Sequence, residues 1–179
     1  MENLEIYNVS LKNIKESKTY RYTLADSFFS AVESADIKSG LINAELTVTK
    51  KAMFFEFVFH LQGSIQVVCD RCLELMALPI KEEKIFSVKL GDDYCDEGDD
   101  IIIASYQTEE INVAWILYEI IVLAIPIQHK HNDGECEKTM ATYLQNCLVD
   151  ENGSSEQEYG NKETTDPRWD RLKSILDNN

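Results

Sequence analysis

Residues 41–90, LINAELTVTKKAMFFEFVFHLQGSIQVVCDRCLELMALPIKEEKIFSVKL, decide how this chain folds. Between Leu41 and Val48, apolar Ile42, Ala44, Leu46 and Val48 alternate with Asn43, Glu45 and Thr47. That period of two describes a strand with one face buried. Lys50 and Lys51 follow at a turn. The run from Met53 to Val68 is rich in Phe, Val and Ile, is interrupted by Gln62-Gly63-Ser64, and enters Cys69 directly. It predicts a second long strand with a bulge or bend at Gly63. Leu73–Ile80 and Ile85–Leu90 continue the pattern, so Cys69-Asp70-Arg71-Cys72 falls at a tight reversal between strands of an antiparallel meander or partly closed sheet.

Beyond the acidic loop GDDYCDEGDD (91–100) the period changes. Ile111, Ala114, Trp115, Tyr118, Ile121, Val122 and Ile125 recur at spacings of three and four, with Asn112 as a cap and Pro126 as a stop. This predicts a helix, and with it an α+β fold whose C-terminal half is helical. Residues 149–165, VDENGSSEQEYGNKETT, hold too few apolar side chains to offset ordering and read as a flexible acidic linker. Asp166-Pro167 then starts a short docking helix, 166–177, with Trp169, Leu172, Ile175 and Leu176 on one stripe. The expected organisation is one domain over 1–148, a linker and that terminal helix.

The chain has 179 residues, 44% of them apolar, which is enough for one sizeable core. Its 32 acidic and 17 basic side chains give a net charge of −15, which argues against coating DNA or an anionic membrane. That excess is uneven: −1 over residues 1–91, −8 over 92–131 and −6 over 132–179. A nucleic-acid contact in the first part is therefore still open. The opening residues lack the basic start and apolar run of a secretory signal, and Val113–Ile127 contains Glu119 and is shorter than the roughly 20 residues of a membrane span. Membrane insertion is not expected, and a reducing, cytoplasmic setting suits five cysteines without a disulfide framework.

Cys69 and Cys72 form the sharpest chemical signal, because two intervening residues let both thiolates face one tetrahedral ion. The downstream segment HKHNDGEC supplies His129, His131 and Cys136, any two of which would complete a Cys2HisCys or Cys2His2 site. The residues alone also fit reduced cysteines at a strand end beside solvated histidines. A redox pair would need a helix N-terminus after a parallel strand, whereas here strand follows strand. The acidic loop fails the EF-hand pattern, since aligning Gly98 with its glycine puts Cys95 and Ala104 at ligand positions. Cys95 and Cys147 stand alone, and His60 alternates with phenylalanines as an ordinary sheet residue. No hydrolase, kinase or nucleotide-binding motif occurs, so an enzyme is not expected.

Read together, VVCDRCLEL, LAIPIQHKHNDGEC and DPRWDRLKSIL resemble, in order and spacing, the bacterial YceD-like family, the large ribosomal RNA subunit accumulation proteins. The resemblance covers roughly residues 10–176. Cys69, Arg71 and Cys72 match the first motif, Leu123–Pro126 the helix end, His131 and Cys136 the downstream cluster, and Asp166-Pro167 with Leu172 the tail. Many members have a second paired-cysteine knuckle where this chain has Cys136 with His131, and Trp169 replaces a usual phenylalanine. The resemblance implies a non-enzymatic ribosome-biogenesis factor that supports synthesis or accumulation of large-subunit (23S) ribosomal RNA. It also raises the expectation of a structural zinc held by Cys69, Cys72, His131 and Cys136, with His129 in reserve. The implied partner is ribosomal RNA or a pre-ribosomal particle, reached directly or through a basic ribosomal protein. A direct contact would use a face built from Lys50, Lys51, Arg71, Lys81, Lys84 and Lys89, with the strand phenylalanines mainly in the core. The alternatives are a zinc-stabilised adaptor that touches only protein, and a thiol or metal enzyme.

Overall fold

A computed structural model describes residues 4–92, 95–98, 100–132 and 134–147. In chain order, a 3-10 turn (Leu4–Tyr7) precedes β1 (Asn8–Ser10), β2 (Ser17–Leu24), α1 (Asp26–Ala31), β3 (Ser39–Lys50), β4 (Phe55–Val68) and β5 (Leu75–Gly91). There follow β6 (Cys95–Gly98), β7 (Ile101–Ser105), β8 (Glu110–Asn112), α2 (Ala114–Leu123) and α3 (Lys138–Cys147). By contacts the chain divides into the units Met1–Ala141 and Thr142–Asn179. The expected linker at 149–165 and helix at 166–177 lie outside the described residues.

Six strands form one sheet in the order β2-β3-β4-β5-β7-β6, and β1 pairs with β8 in a two-stranded ribbon. The alternation in residues 41–48 places Ile42, Ala44, Leu46 and Val48 on one face of β3, beside Leu61, Phe59 and Phe57 of β4. These side chains share a buried core with Phe28 and Phe29 of α1 and with Leu117 and Ile121 of α2. The opposite sheet face carries Arg21, Asn43, Glu45, His60, Gln62, Lys81 and Glu83, and His60 there lies 3.4 Å from the Glu83 carboxylate.

Five sequence expectations are corrected. The sheet is mixed, because β5 and β7 run parallel, Ser87 opposite Ile101 through Gly91 opposite Ser105. The half beyond residue 91 is not simply helical, since β6, β7 and β8 precede α2. Leu73–Ile80 and Ile85–Leu90 are not two strands: most of both runs belongs to β5, which carries the charged Lys81-Glu82-Glu83-Lys84 through without a break. Gly63 makes no bulge: the pairings on both sides of β4 continue through it in unbroken register. The helix is also shorter than its period suggests. Residues 110–112 pair with β1, and Asn112 accepts the Ala114 N–H at 3.0 Å before α2 begins.

Pro79 sits inside β5 without harm for a reason visible further along the strand. Ser87 donates its N–H to Asp100 O, and Tyr106 donates to Gly91 O, so odd-numbered β5 residues aim their backbone groups at the β7 side. Because the β4 register is continuous, Pro79 and Lys81 share that orientation, toward an edge that β7 no longer covers. A proline there removes no ladder bond. Lys81→Pro is accordingly expected to change stability by under about 1 kcal/mol, while Glu82→Pro, which deletes a bond to β4, costs roughly 3 kcal/mol. Urea unfolding of the pair checks the orientation, and equal losses would contradict it.

Candidate metal centre

The CDRC segment occupies the reversal between β4 and β5. Cys69 donates its N–H to Glu74 O at 2.8 Å and Leu73 donates to Cys69 O at 2.9 Å, which closes a tight knuckle. Leu73 takes a positive φ of 63°, a costly conformation for a branched side chain that the closed turn imposes. The loop after α2 is held against this knuckle by a reciprocal pair: Asp70 N–H donates to His129 O at 2.9 Å, and His129 N–H donates to Asp70 Oδ2 at 2.8 Å. Gly134, at φ 88°, supports the turn that returns the chain to Cys136.

This folding brings Cys69, Cys72, His131 and Cys136 together, with their ligand atoms all within 4.8 Å of one another. A tetrahedral ion with bonds of about 2.0–2.3 Å requires donors spaced by roughly 3.5–3.8 Å, so small side-chain adjustments suffice to hold one. The three cysteines are buried, and Met76 and Met140 pack against them. His131 Nδ1 lies 3.3 Å from Cys72 Sγ. These four residues could hold a metal ion. Three sulfurs and one imidazole are a donor set suited to zinc or another thiophilic ion, and four protein ligands describe a closed site.

Electrostatics favour the ligating state at two of the thiols. Burial opposes ionisation of Cys69, but N–H groups of Cys72, His131 and Arg71 directed at its sulfur outweigh that and bring the thiol down to about 6. Burial likewise opposes ionisation of Cys72, and N–H groups of Glu137 and Glu74 help to lower it. His131 is raised, chiefly by its hydrogen bond to Cys69 against the effect of burial. Cys136 differs: burial and the neighbouring Cys72 push its thiol up, and Arg71 offsets only part of this. Arg71 Nε donates to Cys136 Sγ at 3.1 Å, and Nη2 donates to His131 O at 2.8 Å.

His129, the reserve ligand, turns elsewhere. Its Nδ1 lies 3.2 Å from Pro126 O and 3.6 Å from Asp70 Oδ2, so it locks the loop and stands outside the four-residue cluster. The sequence offered no signal for the backbone donors of Glu74 and Glu137, whose positions depend on the folded knuckle. Cys147 is an exposed free thiol.

The expected basic face is dispersed. Arg71 is engaged at the cysteines. Lys81 and Lys89 share one face of β5, whereas Lys84 pairs with Phe59 on the other. Lys50 lies over the Phe55 ring, 5.9 Å from its centroid, and Lys51 pairs with Glu56 at 3.2 Å. Phe55, Phe57 and Phe59 are buried, so these three give bases no stacking platform.

Fold and site together define a class: an α+β sheet protein whose central hairpin ends in a Cys3His metal-type knuckle. A family model described as large ribosomal RNA subunit accumulation protein YceD matches residues 57–176, and the chain belongs to that family. The match spans all four clustered residues and α2. No curated protein and no solved structure matches the chain. The family name connects it with the large ribosomal subunit and its RNA. No helix among the described residues is long and apolar enough to cross a membrane.

Proposed function

We propose that this chain is a non-enzymatic, cytoplasmic factor supporting the synthesis or accumulation of 23S ribosomal RNA, with one structural zinc at Cys69, Cys72, His131 and Cys136. Membership of the family carries the ribosomal reading. The zinc reading rests on the donor set and on its enclosure, since four protein ligands leave no position for substrate. When bound, zinc cross-links the β4–β5 reversal to the loop after α2. Its work is to hold that surface in one shape for a partner.

Depleting the protein is expected to lower large-subunit RNA relative to small-subunit RNA, measured by quantifying both in total RNA and in sucrose-gradient fractions. An unchanged ratio would sink the ribosomal reading. Contact through a basic ribosomal protein is the second reading, and the dispersal of the lysines favours it over direct phosphate binding. Charge reversal of Lys50, Lys51, Lys81 and Lys84 separates the two. Retained association with pre-ribosomal particles at moderate salt supports a protein contact, and its loss supports RNA.

A further inference from the structure

The four ligands leave a charge to be balanced. Three thiolates and a neutral imidazole around a divalent ion carry a net charge of −1, and burying an uncompensated charge among Met76 and Met140 is costly. Cys69 takes the backbone N–H groups of Arg71 and His131, each 3.4 Å from its sulfur. Cys136 instead takes its hydrogen bond from the Arg71 side chain, 65 residues away in sequence. The same guanidinium holds the carbonyl of His131. One cation therefore touches two of the four ligand residues directly, and its own backbone serves a third.

We propose that Arg71 is a positioning residue of this metal centre: its guanidinium cancels the charge of the three-thiolate site and fixes Cys136 and His131 as ligands. This rests on the metal reading above. A planar fork with several donors can serve a sulfur and a carbonyl at once, which a lysine ammonium does less well. The arginine between the two cysteines is thus spent inside the centre and is not offered to RNA.

The experiment begins with the zinc content of the wild-type full chain after zinc reconstitution. A protein that takes up no zinc overturns the metal reading and this proposal with it. With zinc bound, Arg71→Met is expected to speed transfer to excess EDTA by about tenfold or more, as loss of an outer partner of a ligand does. Mass spectrometry of alkylated thiols should find Cys136 modified before Cys69 and Cys72. Arg71→Lys, which keeps the charge without the fork, should fall between. The charge argument is tested by repeating the change in Cys136→His, where a Cys2His2 site with a divalent ion is neutral. There Arg71→Met should accelerate transfer less than about twofold, well below the tenfold expected in the three-thiolate site. Unchanged rates and alkylation order, or equal acceleration in both backgrounds, would show that Arg71 only packs. If Arg71→Met does not fold, the same cycle is read with Arg71→Lys, whose intermediate effect must also shrink in Cys136→His.

Discussion

Cys69→Ser is expected to abolish stoichiometric zinc binding and to release the loop after α2 while leaving most of the sheet folded. Among the four proposed ligands Cys69 is the most thoroughly supported, fully buried, with three backbone donors favouring its thiolate. Binding of a structural zinc by such a set is worth on the order of 10 kcal/mol, and most of that is lost when a tetrahedral site loses a thiolate. The damage is local because β3 and β4 pair from Ser39 opposite Gln66 to Lys50 opposite Phe55, a ladder that does not depend on the knuckle. Hydrogen exchange should therefore show faster exchange over 127–132 and 134–140, with β3 and β4 amides still protected. Elemental analysis gives the second readout. A Cys69→Ser protein that retains one equivalent of zinc and an unchanged exchange pattern would refute the assignment of this ligand. The reciprocal Asp70–His129 hydrogen bonds, one to the His129 carbonyl and one to the Asp70 carboxylate, are the internal competitor, because they join the same two segments without metal. Two hydrogen bonds at about 1 kcal/mol each do not replace the ion.

Gly63→Ala should be the most damaging single substitution in the sheet for its size. A Cβ built at Gly63 would lie 2.1 Å from Leu41 O and 2.7 Å from the Ile42 Cα, both backbone atoms of β3. No rotamer change relieves such a clash, so β3 and β4 must separate where Ile42 and Leu61 are buried. The expected loss is about 3 kcal/mol, a large part of a stability of roughly 5–15 kcal/mol. Urea denaturation checks it, with Ser64→Ala as the control on the opposite sheet face. A loss below about 1 kcal/mol would mean that the two backbones do not approach this closely.

Gly63 also shows how sequence and structure divide the information. Its interruption of an apolar run was legible, but a bulge and a close approach leave the same mark in a sequence. Only the unbroken register on both sides distinguishes them. The Lys81–Lys84 charges misled in another way. They looked like a gap between strands, yet a strand at a partly open edge can carry charges in mid-course because their heads remain in water. Ile111 fits the helical period although its backbone pairs with Val9, about a hundred residues away in sequence, whereas Asn112 does act as a cap, its side chain accepting the Ala114 N–H at the start of α2.

Properties set by near neighbours were readable from the residues alone: the alternation that buries one face of β3 and β4, the reversal at CDRC, and the spacing that lets Cys69 and Cys72 share an ion. Their grouping with His131 and Cys136 was legible as a candidate set, and family resemblance narrowed it. The parallel pairing of β5 with β7, the exclusion of His129 and the engagement of Arg71 were settled only by long-range packing. The last two depend on groups that meet across long stretches of chain, 59 residues between Asp70 and His129 and 65 between Arg71 and Cys136, while β7 reaches β5 over a shorter connection that no local pattern marks as parallel. A charged side chain in sequence is only a potential contact; half-buried Arg71 finds its partner in the Cys136 sulfur, 3.1 Å from Nε, because a site partly shielded from solvent rewards a pairing that water would screen.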